Sequence, residues 1–385
     1  MVDDRKRNYI ILSMKILPQK YTEMSRQELI NHIADVKAKL GDKLCILGHH
    51  YQSDDTIQFA DFRGDSLKLS QQAANQKTAE YIVFCGVHFM AESADVLSSP
   101  EQTVCIPNMR AGCGMADMAD PDDVIAAIDE INRVAGGNVI PIAYVNSTAA
   151  IKAATAKAGG ACCTSSNVKN VFAWAFTPTE EGGAGAEKIF ALPDQHLARN
   201  TAIAMGYSKD HCVVYDPELP LGGLTEQQIA DAKFILWKGW CYVHRMFQVE
   251  HVLAARQDHP DATVIVHPEC PNEVVELADL SGSTSQIIET ISAAPAGTTW
   301  VVGTESNMVR RLACQMPDKN IHVLCGHQAK CIQMARIDLA HLAWCLDSIA
   351  ENNPVNIVTV DNAIAADSCV ALERMINIKP VKSAQ

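Results

Sequence analysis

The chain has 385 residues, of which 48% are hydrophobic and 20% charged, a composition typical of a packed protein with a sizeable core. Its formal net charge of -13 at pH 7 argues against nucleic-acid binding, which requires a basic surface. No apolar run is long enough to cross a membrane, and the charged N-terminus is unlike a secretory signal. We therefore expect a cytoplasmic protein whose 14 cysteines do not form a disulfide framework.

A module of strand, polar turn, helix, strand, polar turn, helix and strand occurs three times along the chain. The first copy runs from CILGHHYQ to TVCIPN, the second from VIPIAYVNST to CVVYDP and the third from TVIVHPECPN to IHVLCG. Short apolar runs rich in Val and Ile are typical of buried parallel strands, and their alternation with helices predicts an α/β fold. We predict three α/β units with short parallel sheets, related by pseudo-threefold symmetry around a central active site. Their boundaries are 1–135 with an N-terminal helical extension, 136–250, and 251–385 with a C-terminal helix.

Polar side chains leave the first strand of each copy. They are His49 and Tyr51, then Tyr144 and Asn146, and then His267 and Glu269. Ligands of parallel sheets bind at the carboxyl ends of the strands. Any one of these residues alone would more often be structural, but together they indicate a site for acid–base chemistry.

The helix that follows begins with GDS, TSS or GST, which contain Ser66, Ser165, Ser283 and Thr284. Ordinary N-caps would explain these residues about as well as a binding role. The free N–H groups and the dipole of a helix N-terminus also bind anions. Three such helix starts around one axis would suit a small substrate that carries a phosphate and two carboxylates.

One cysteine follows the last strand of each copy in a polar or Gly-containing loop: Cys113, Cys241 and Cys331. Three thiolates that meet at one point require a metal. Zinc would accept them with His244 as a fourth ligand, and a 4Fe–4S cluster would leave one iron without a cysteine. The spacing of the cysteines does not decide between the two.

Nine motifs in order resemble the quinolinate synthase family of de novo NAD biosynthesis, over the chain from about Lys43 to Cys331. They are HHYQ, DFRGDSLKL, GVHFMAE, YVNST, CTSSN, LPDQHLARN, VHPECP, GST and VGTE. The resemblance implies three pseudo-symmetric α/β units around a 4Fe–4S cluster. It implies the condensation of iminoaspartate with dihydroxyacetone phosphate to quinolinate, with release of phosphate and two waters. An aspartate oxidase is a candidate supplier of the imine.

The resemblance also implies a role for each candidate residue. Cys113, Cys241 and Cys331 would hold the cluster, whose open iron would act as a Lewis acid in dehydration. Substrate contacts would come from His49, Tyr144, Asn146, His244, His267 and Glu269, with Tyr51 and Glu269 moving protons. Ser66 and Ser165 would contact the triose phosphate, and Ser283 and Thr284 a product carboxylate. Trp240 departs from the family, which often has His before the middle cysteine.

Two other classes of protein remain as alternatives. A zinc-dependent hydrolase or aldolase would use the same Cys and His ligands beside a phosphate pocket. An iron–sulfur sensor would need an effector surface, usually basic for DNA, which this acidic chain lacks. A radical enzyme is disfavoured because the chain contains no CxxxCxxC triplet.

Overall fold

The computed structural model describes residues 15–326 and 329–379. The described fold is α/β, as predicted, and its strands form three all-parallel sheets of four, five and four strands. One sheet falls within each of the three predicted segments of the chain. The segment boundaries and the pseudo-threefold relation stay predictions. Within the described residues, no helix has both the length and the apolar composition needed to cross a membrane.

The first sheet is built from four strands. They are β1 (Leu44–His49), β2 (Phe62–Gly64), β3 (Tyr81–Cys85) and β4 (Thr103–Cys105), in the order β2-β1-β3-β4. The helices up to the second sheet are α1 (Gln19–Glu23), α2 (Arg26–Leu40), α3 (Asp54–Ile57), α4 (Ser66–Asn75), α5 (His88–Leu97) and α6 (Pro121–Val134). All six residues of β1 are buried, so the strand delivers His49 from the core of the sheet to its carboxyl edge.

The second sheet has five strands in the order β6-β5-β7-β9-β8. They are β5 (Val139–Tyr144), β6 (Ala161–Cys163), β7 (Lys188–Leu192), β8 (Cys212–Tyr215) and β9 (Phe234–Trp237). The helices that follow β5 are α7 (Ala149–Lys157), α8 (Val168–Phe176), α9 (Gln195–Ala204), α10 (Glu226–Asp231), α11 (Tyr242–Arg245) and α12 (Val249–Asp258).

The third sheet repeats the strand order of the first. Its strands are β10 (Thr263–Val266), β11 (Leu280–Ser281), β12 (Thr299–Gly303) and β13 (Asn320–Val323), in the order β11-β10-β12-β13. The remaining helices are α13 (Asn272–Leu277), α14 (Thr284–Ala293), α15 (Ser306–Gln315), α16 (Leu339–Ala350) and α17 (Asn362–Asn377).

Each sheet also has an edge strand that the sequence pattern does not reveal. The strands β2, β6 and β11 have three, three and two residues, too few to show a period. Each ends within two residues of the serine-containing turn that starts the next helix. The turns are therefore held at the carboxyl edge of their own sheets by strand pairing.

The middle sheet contains a strand that the predicted module lacks. The segment CVVYDP forms β8 at the sheet edge, and the additional strand β9 lies between β8 and β7. All four residues of β9 are buried, whereas three of the four in β8 are only half-buried. The more apolar strand takes the central place, and it is β9 that leads to Cys241.

The chain divides into two compact units, each made from separate stretches of sequence. The first comprises residues 15–64, 69–112 and 332–359, and the second 65–68, 113–326, 329–331 and 360–379. The first unit therefore contains the first sheet, and the second unit contains the other two. The first unit thus combines an early stretch of the chain with residues 332–359.

The C-terminal region forms two helices where the sequence pattern suggested one. In the first unit, α16 packs against α2, and its Asp347 accepts a hydrogen bond from the Tyr21 hydroxyl at 2.7 Å. The following segment pairs with the edge strand β4, because Ile357 forms an antiparallel bridge with Cys105. In the second unit, α17 packs on α7 and β6, and Arg374 donates to the Gly160 carbonyl at 2.6 Å.

Candidate functional site

Four buried side chains of the second unit form an acid–base cluster, which comprises Tyr144, His244, His267 and Glu269. The Glu269 carboxylate lies 2.5 Å from His244 Nδ1 and 3.7 Å from His267 Nδ1. The two imidazole rings stack with centroids 4.3 Å apart and an angle of 16° between their planes. The exposed fraction of His244 is 1% and that of Glu269 is 2%, so the pair is shielded from bulk water. The cluster is therefore a buried group of side chains that can donate and accept protons.

The ends of three strands place the cluster. Tyr144 ends β5, and His267 and Glu269 follow β10, so the second and third sheets both contribute. The Glu269 N–H donates to His267 Nδ1 at 3.3 Å, which places the proton of a neutral His267 on Nε2. Thr304, directly after β12, lies 3.1 Å from His244 Nε2 through its hydroxyl. The contacts of its two nitrogens with Glu269 and Thr304 fix the orientation of the His244 ring.

The electrostatics of the cluster keep the Glu269 carboxylate ionised. Burial acts to raise the pKa of this group, but electrostatic interaction with His244 and His267 and hydrogen bonds from His244 and Tyr144 outweigh it. The pKa of Glu269 is therefore lowered from its ordinary value. The Glu269 carboxylate and the His244 imidazole are close enough to exchange a proton.

Asn146 lies two residues beyond Tyr144, in the same strand-end loop as the sequence predicted. Its Oδ1 is buried and has no hydrogen-bond partner among the residues that the structure describes. A buried amide oxygen without a partner is costly, so it is usually matched by a ligand, an ion or water. Asn146 is therefore suited to receive a donor from a bound molecule.

The three predicted ligand cysteines all belong to the second unit, and each retains some exposed surface. Burial raises the pKa of the Cys113 thiol to about 12, and the nearby Cys331 adds to that increase. The pKa of Cys241 is also raised, by burial, by Glu269 and by the other two cysteines. The thiols are thus close enough to repel one another as thiolates. A bound cation at this point would favour the thiolate forms.

Cys241 also lies beside the acid–base cluster. Its Sγ, a ring nitrogen of His244 and a carboxylate oxygen of Glu269 lie within 4.8 Å of one another. Thiolate, imidazole and carboxylate are all ligands of a single metal ion, so this group could hold one.

The same hydrogen bond fixes each cysteine loop to the second helix of its own copy. The first residue of that helix donates its N–H to the carbonyl two residues before the cysteine. The bonds run from His88 to Ala111 at 2.8 Å, from Gln195 to Gly239 at 3.0 Å and from Ser306 to Ala329 at 2.7 Å. The three cysteines are thus equivalent in local structure, as the repeat in the sequence predicts.

Two acidic N-caps add a second link that the sequence analysis missed. Glu305 caps α15 and also accepts a hydrogen bond from the Cys331 N–H at 3.3 Å. Asp194 caps α9 in the same way, and the Cys241 N–H is among its donors. Burial raises the pKa of Glu305 to about 7, although these N–H groups oppose the increase. An acidic residue before a helix is an ordinary capping signal, so the sequence alone does not reveal its second partner.

The residue before the middle cysteine also has a defined place. The Arg245 guanidinium lies 4.1 Å above the Trp240 ring, and the Trp240 N–H donates to Met118 Sδ at 3.4 Å. A cation over an indole face is a favourable contact. Trp240 therefore fixes this loop by packing.

Gly239 allows the middle cysteine loop to approach the chain before α9. A Cβ at this position would lie 2.3 Å from the Pro193 carbonyl oxygen. We expect Gly239→Ala to lower the free energy of unfolding by about 1–3 kcal/mol, the range for overpacking a close contact. Denaturant unfolding followed by circular dichroism would measure the change. Gly114→Ala is the matched control, because no described atom lies within 4 Å of its added Cβ. Equal losses in the two variants would contradict this explanation.

The predicted helix starts are brought together in the second unit by Asp65, a residue that the sequence analysis passed over. Its Oδ2 accepts hydrogen bonds from the hydroxyls of Ser166 at 2.6 Å and Ser285 at 2.7 Å. These serines adjoin Ser165 and Thr284, and Asp65 itself adjoins Ser66. Each of the three copies therefore has one predicted residue that adjoins either Asp65 or a serine bound to it.

The helix starts differ in how their own side chains are used. Ser283 is an ordinary N-cap, since its hydroxyl accepts a hydrogen bond from the Gln286 N–H. Ser66 is the first residue of α4, whereas Ser165 lies in the turn before α8. The Thr284 hydroxyl is buried and has no hydrogen-bond partner among the described residues. The capping explanation thus accounts for Ser283 and leaves Thr284 for another role.

The first unit carries the remaining two predicted residues, His49 and Tyr51. Their rings meet edge to face with centroids 4.7 Å apart, and the Tyr51 N–H donates to His49 Nδ1 at 3.2 Å. His49 is buried and Tyr51 is half-buried. Their contact with substrate stays a prediction.

Comparison with known proteins decides the family. The family model described as quinolinate synthetase A protein matches residues 31–377. A quinolinate synthase of Anoxybacillus flavithermus is 50% identical over 94% of this chain and 96% of its own length. Quinolinate synthases of Bacillus subtilis and Lysinibacillus sphaericus are 48% and 49% identical over 95% and 94% of the chain and 97% and 96% of their own lengths.

The chain belongs to the quinolinate synthetase A protein family. The resemblance noted in the sequence is thereby confirmed over a range that extends beyond Lys43 and Cys331 at both ends. The acid–base cluster, the three cysteines and the helix starts all lie within the range matched by the quinolinate synthetase A family, as do His49 and Tyr51.

Proposed function

We propose that this chain condenses iminoaspartate with dihydroxyacetone phosphate to give quinolinate, phosphate and two waters. The atoms of the two substrates balance those products, so the reaction needs no oxidant. The observation that carries the proposal is the buried acid–base cluster directly beside Cys241, in a chain of the quinolinate synthetase A family. A reaction that eliminates phosphate and two waters moves several protons, and it requires acids and bases held at fixed positions.

The proposal assigns a 4Fe–4S cluster to Cys113, Cys241 and Cys331. The thiols of Cys113 and Cys241 lie close enough to each other and to Cys331 to raise one another's pKa, and a bound positively charged centre would favour their thiolate forms. When bound, the cluster would supply a Lewis acid at the iron that has no cysteine ligand. The two carboxylate links at Asp194 and Glu305 would hold the backbone of their cysteines in place.

The helix starts would bind the charged groups of the substrates. Ser66 and Ser165 would contact the triose phosphate, and Ser283 and Thr284 would hold a carboxylate. The free N–H groups at the N-termini of α4, α8 and α14 favour anions even in an acidic protein. The unpartnered hydroxyl of Thr284 supports this assignment, because a bound oxyanion would satisfy it.

The acid–base cluster would handle the protons. A proton that Glu269 and His244 exchange can be given up or taken back at either the carboxylate or the imidazole. Tyr144 hydrogen-bonds to Glu269 and would steady the carboxylate as its charge changes. Asn146 would accept a hydrogen bond from the substrate through its unpartnered Oδ1.

The proposal also retains assignments that rest on the sequence alone. His49 and Tyr51 would act in acid–base catalysis and His267 in substrate binding. We place the enzyme in the cytoplasm and name an aspartate oxidase as a supplier of the imine. The imine hydrolyses readily in water, so a supplier acting in the same solution is a requirement of the assay as well.

The proposal is tested by anaerobic purification followed by iron and sulfide analysis and a quinolinate assay. Iminoaspartate is generated in place from aspartate by an aspartate oxidase, and dihydroxyacetone phosphate is added. We expect about four irons and four sulfides per chain, together with formation of quinolinate that depends on both substrates.

The same measurement tests the zinc alternative. Bound zinc with no quinolinate would contradict the proposal and favour a hydrolase or aldolase built on the same cysteines. A control without dihydroxyacetone phosphate shows whether any quinolinate signal comes from the imine alone.

A further inference from the structure

Asp65 has an unusual set of partners for a carboxylate at a helix start. Its Oδ1 accepts the Lys68 N–H of its own helix at 2.9 Å, the ordinary work of a helix N-cap. Its Oδ2 accepts the hydroxyls of Ser166 and Ser285, which lie 101 and 220 residues away in sequence. Only 6% of the residue is exposed. One buried side chain thus links the starts of α4, α8 and α14.

A buried carboxylate at this position weakens the binding of an anion, so we expect Asp65 to contribute something that offsets this effect. A carboxylate near a bound phosphate or carboxylate repels it, and burial strengthens that repulsion. Hydrogen bonds to a charged acceptor are stronger than those between neutral groups, and they fix geometry. Asp65 can therefore offset the repulsion by fixing the relative positions of hydrogen-bond donors that come from three different copies of the module.

An independent observation indicates that the linked turns face a ligand. Thr284 is directly before Ser285, its exposed fraction is 3%, and its hydroxyl has no hydrogen-bond partner among the described residues. Ser285 itself is occupied by Asp65, so Asp65 orients the first turn of α14 while leaving the Thr284 hydroxyl available. Ser165 likewise lies directly before a serine, Ser166, whose hydroxyl is bound to Asp65.

We infer that Asp65 is a positioning residue for substrate binding: it clasps the three helix starts so that their free donors converge on one anionic group. The inference rests on the proposed function, which assigns the triose phosphate to these helix starts. Asp65 does not touch the substrate in this account, and it acts through Ser166 and Ser285.

The sign of one binding measurement separates this role from a purely electrostatic one. Removing a negative charge beside an anion site strengthens anion binding if the charge only repels, and weakens it if the charge holds the donors in place. The variants are Asp65→Asn, which keeps the shape of the side chain, and the double variant Ser166→Ala/Ser285→Ala, which keeps the charge. Binding of dihydroxyacetone phosphate alone is measured by calorimetry.

We expect both variants to raise the Kd roughly tenfold or more, since hydrogen bonds to a charged group contribute about 1.5–3 kcal/mol. In turnover, the KM for dihydroxyacetone phosphate should rise by a similar factor while kcat changes less than threefold, and iron content should stay at the wild-type value. Combining the variants should add little, because both break the same clasp. Asp120→Asn is the control, since Asp120 is an exposed N-cap of α6 whose side chain accepts from its own helix.

Tighter binding by Asp65→Asn, or a Kd within twofold of the wild type in both variants, would overturn the clasp. If the wild type itself failed to bind dihydroxyacetone phosphate, the proposed function would be contradicted as well. If the wild type bound it and the variants did not weaken binding, only the role of Asp65 would be contradicted. Thermal unfolding of each variant shows whether the comparison is between folded proteins. Asp65→Asn is isosteric, so it remains informative even if the double variant is destabilised.

Discussion

Replacing Cys331 by alanine is expected to remove the metal centre and abolish quinolinate formation while the chain remains folded. Cys331 keeps part of its surface exposed, and its Sγ contacts the Tyr242 hydroxyl at 3.5 Å. Truncation therefore removes little buried apolar area, and most of the free energy of unfolding should be retained. Losing one of three proposed cysteine ligands should leave the cluster without an anchor on that side. Iron and sulfide content after anaerobic purification, with circular dichroism as the test of folding, would measure both effects.

Cys314→Ala is the matched control for this experiment. Cys314 lies on α15 in the same copy of the module and is exposed. Its replacement should leave iron content and activity at the wild-type values. A full complement of iron in Cys331→Ala would refute the ligand assignment, and equal loss in both variants would mean that thiol oxidation during handling had removed the cluster.

Replacing Glu269 by glutamine is expected to lower kcat by a factor of about 10²–10⁴, the usual contribution of a positioned acid or base. Glutamine has nearly the same shape but can neither hold the negative charge beside His244 nor take up a proton from it. The iron content should remain close to wild type, because Glu269 lies near Cys241 without being one of the proposed ligands. The rate of quinolinate formation at saturating substrate measures kcat, and iron analysis shows separately whether the metal centre is retained.

Glu273→Gln provides the comparison for a carboxylate outside the cluster. Glu273 lies in the first turn of α13, four residues along the chain, and is exposed. It should retain wild-type activity. Activity of Glu269→Gln within threefold of wild type would remove Glu269 from the acid–base role, whatever its effect on stability.

The parts of the fold that follow from local sequence patterns were predictable. Short apolar strands, Ser- or Thr-initiated helices and a repeated order of both led to three parallel sheets, which the structure confirms. The repeat also led to one cysteine per copy, each fixed by the same N–H to carbonyl bond. These features depend on residues close in sequence, so their signal is present in a single chain.

The features that the sequence did not reveal depend on competition between two strands for one place in the sheet, or on hydrogen-bond partners that are distant in sequence. β8 and β9 are both apolar runs, and their places in the sheet are settled by which one buries better. Asp65 looks like a helix cap in the sequence, because nothing in GDS reveals acceptance from Ser166 and Ser285. Asp194 and Glu305 are hidden in the same way, since the second partner of each is a backbone N–H in another loop.

The bridge between Ile357 and Cys105 has a consequence for how the chain is made. β4 is an edge strand of the first sheet, and residues near Asn356 and Val358 complete its hydrogen bonds: the Ile106 N–H donates to the Asn356 carbonyl at 3.1 Å, and the Val358 N–H donates to Val104 at 2.9 Å. During synthesis the strands of the first sheet emerge early and the segment that covers their edge emerges near the end. An uncovered edge strand can pair with other chains. The outer edge of β4 therefore stays unpaired until the segment around Ile357 has been synthesised. We expect that slowing translation before Ile357 increases aggregation of the nascent protein.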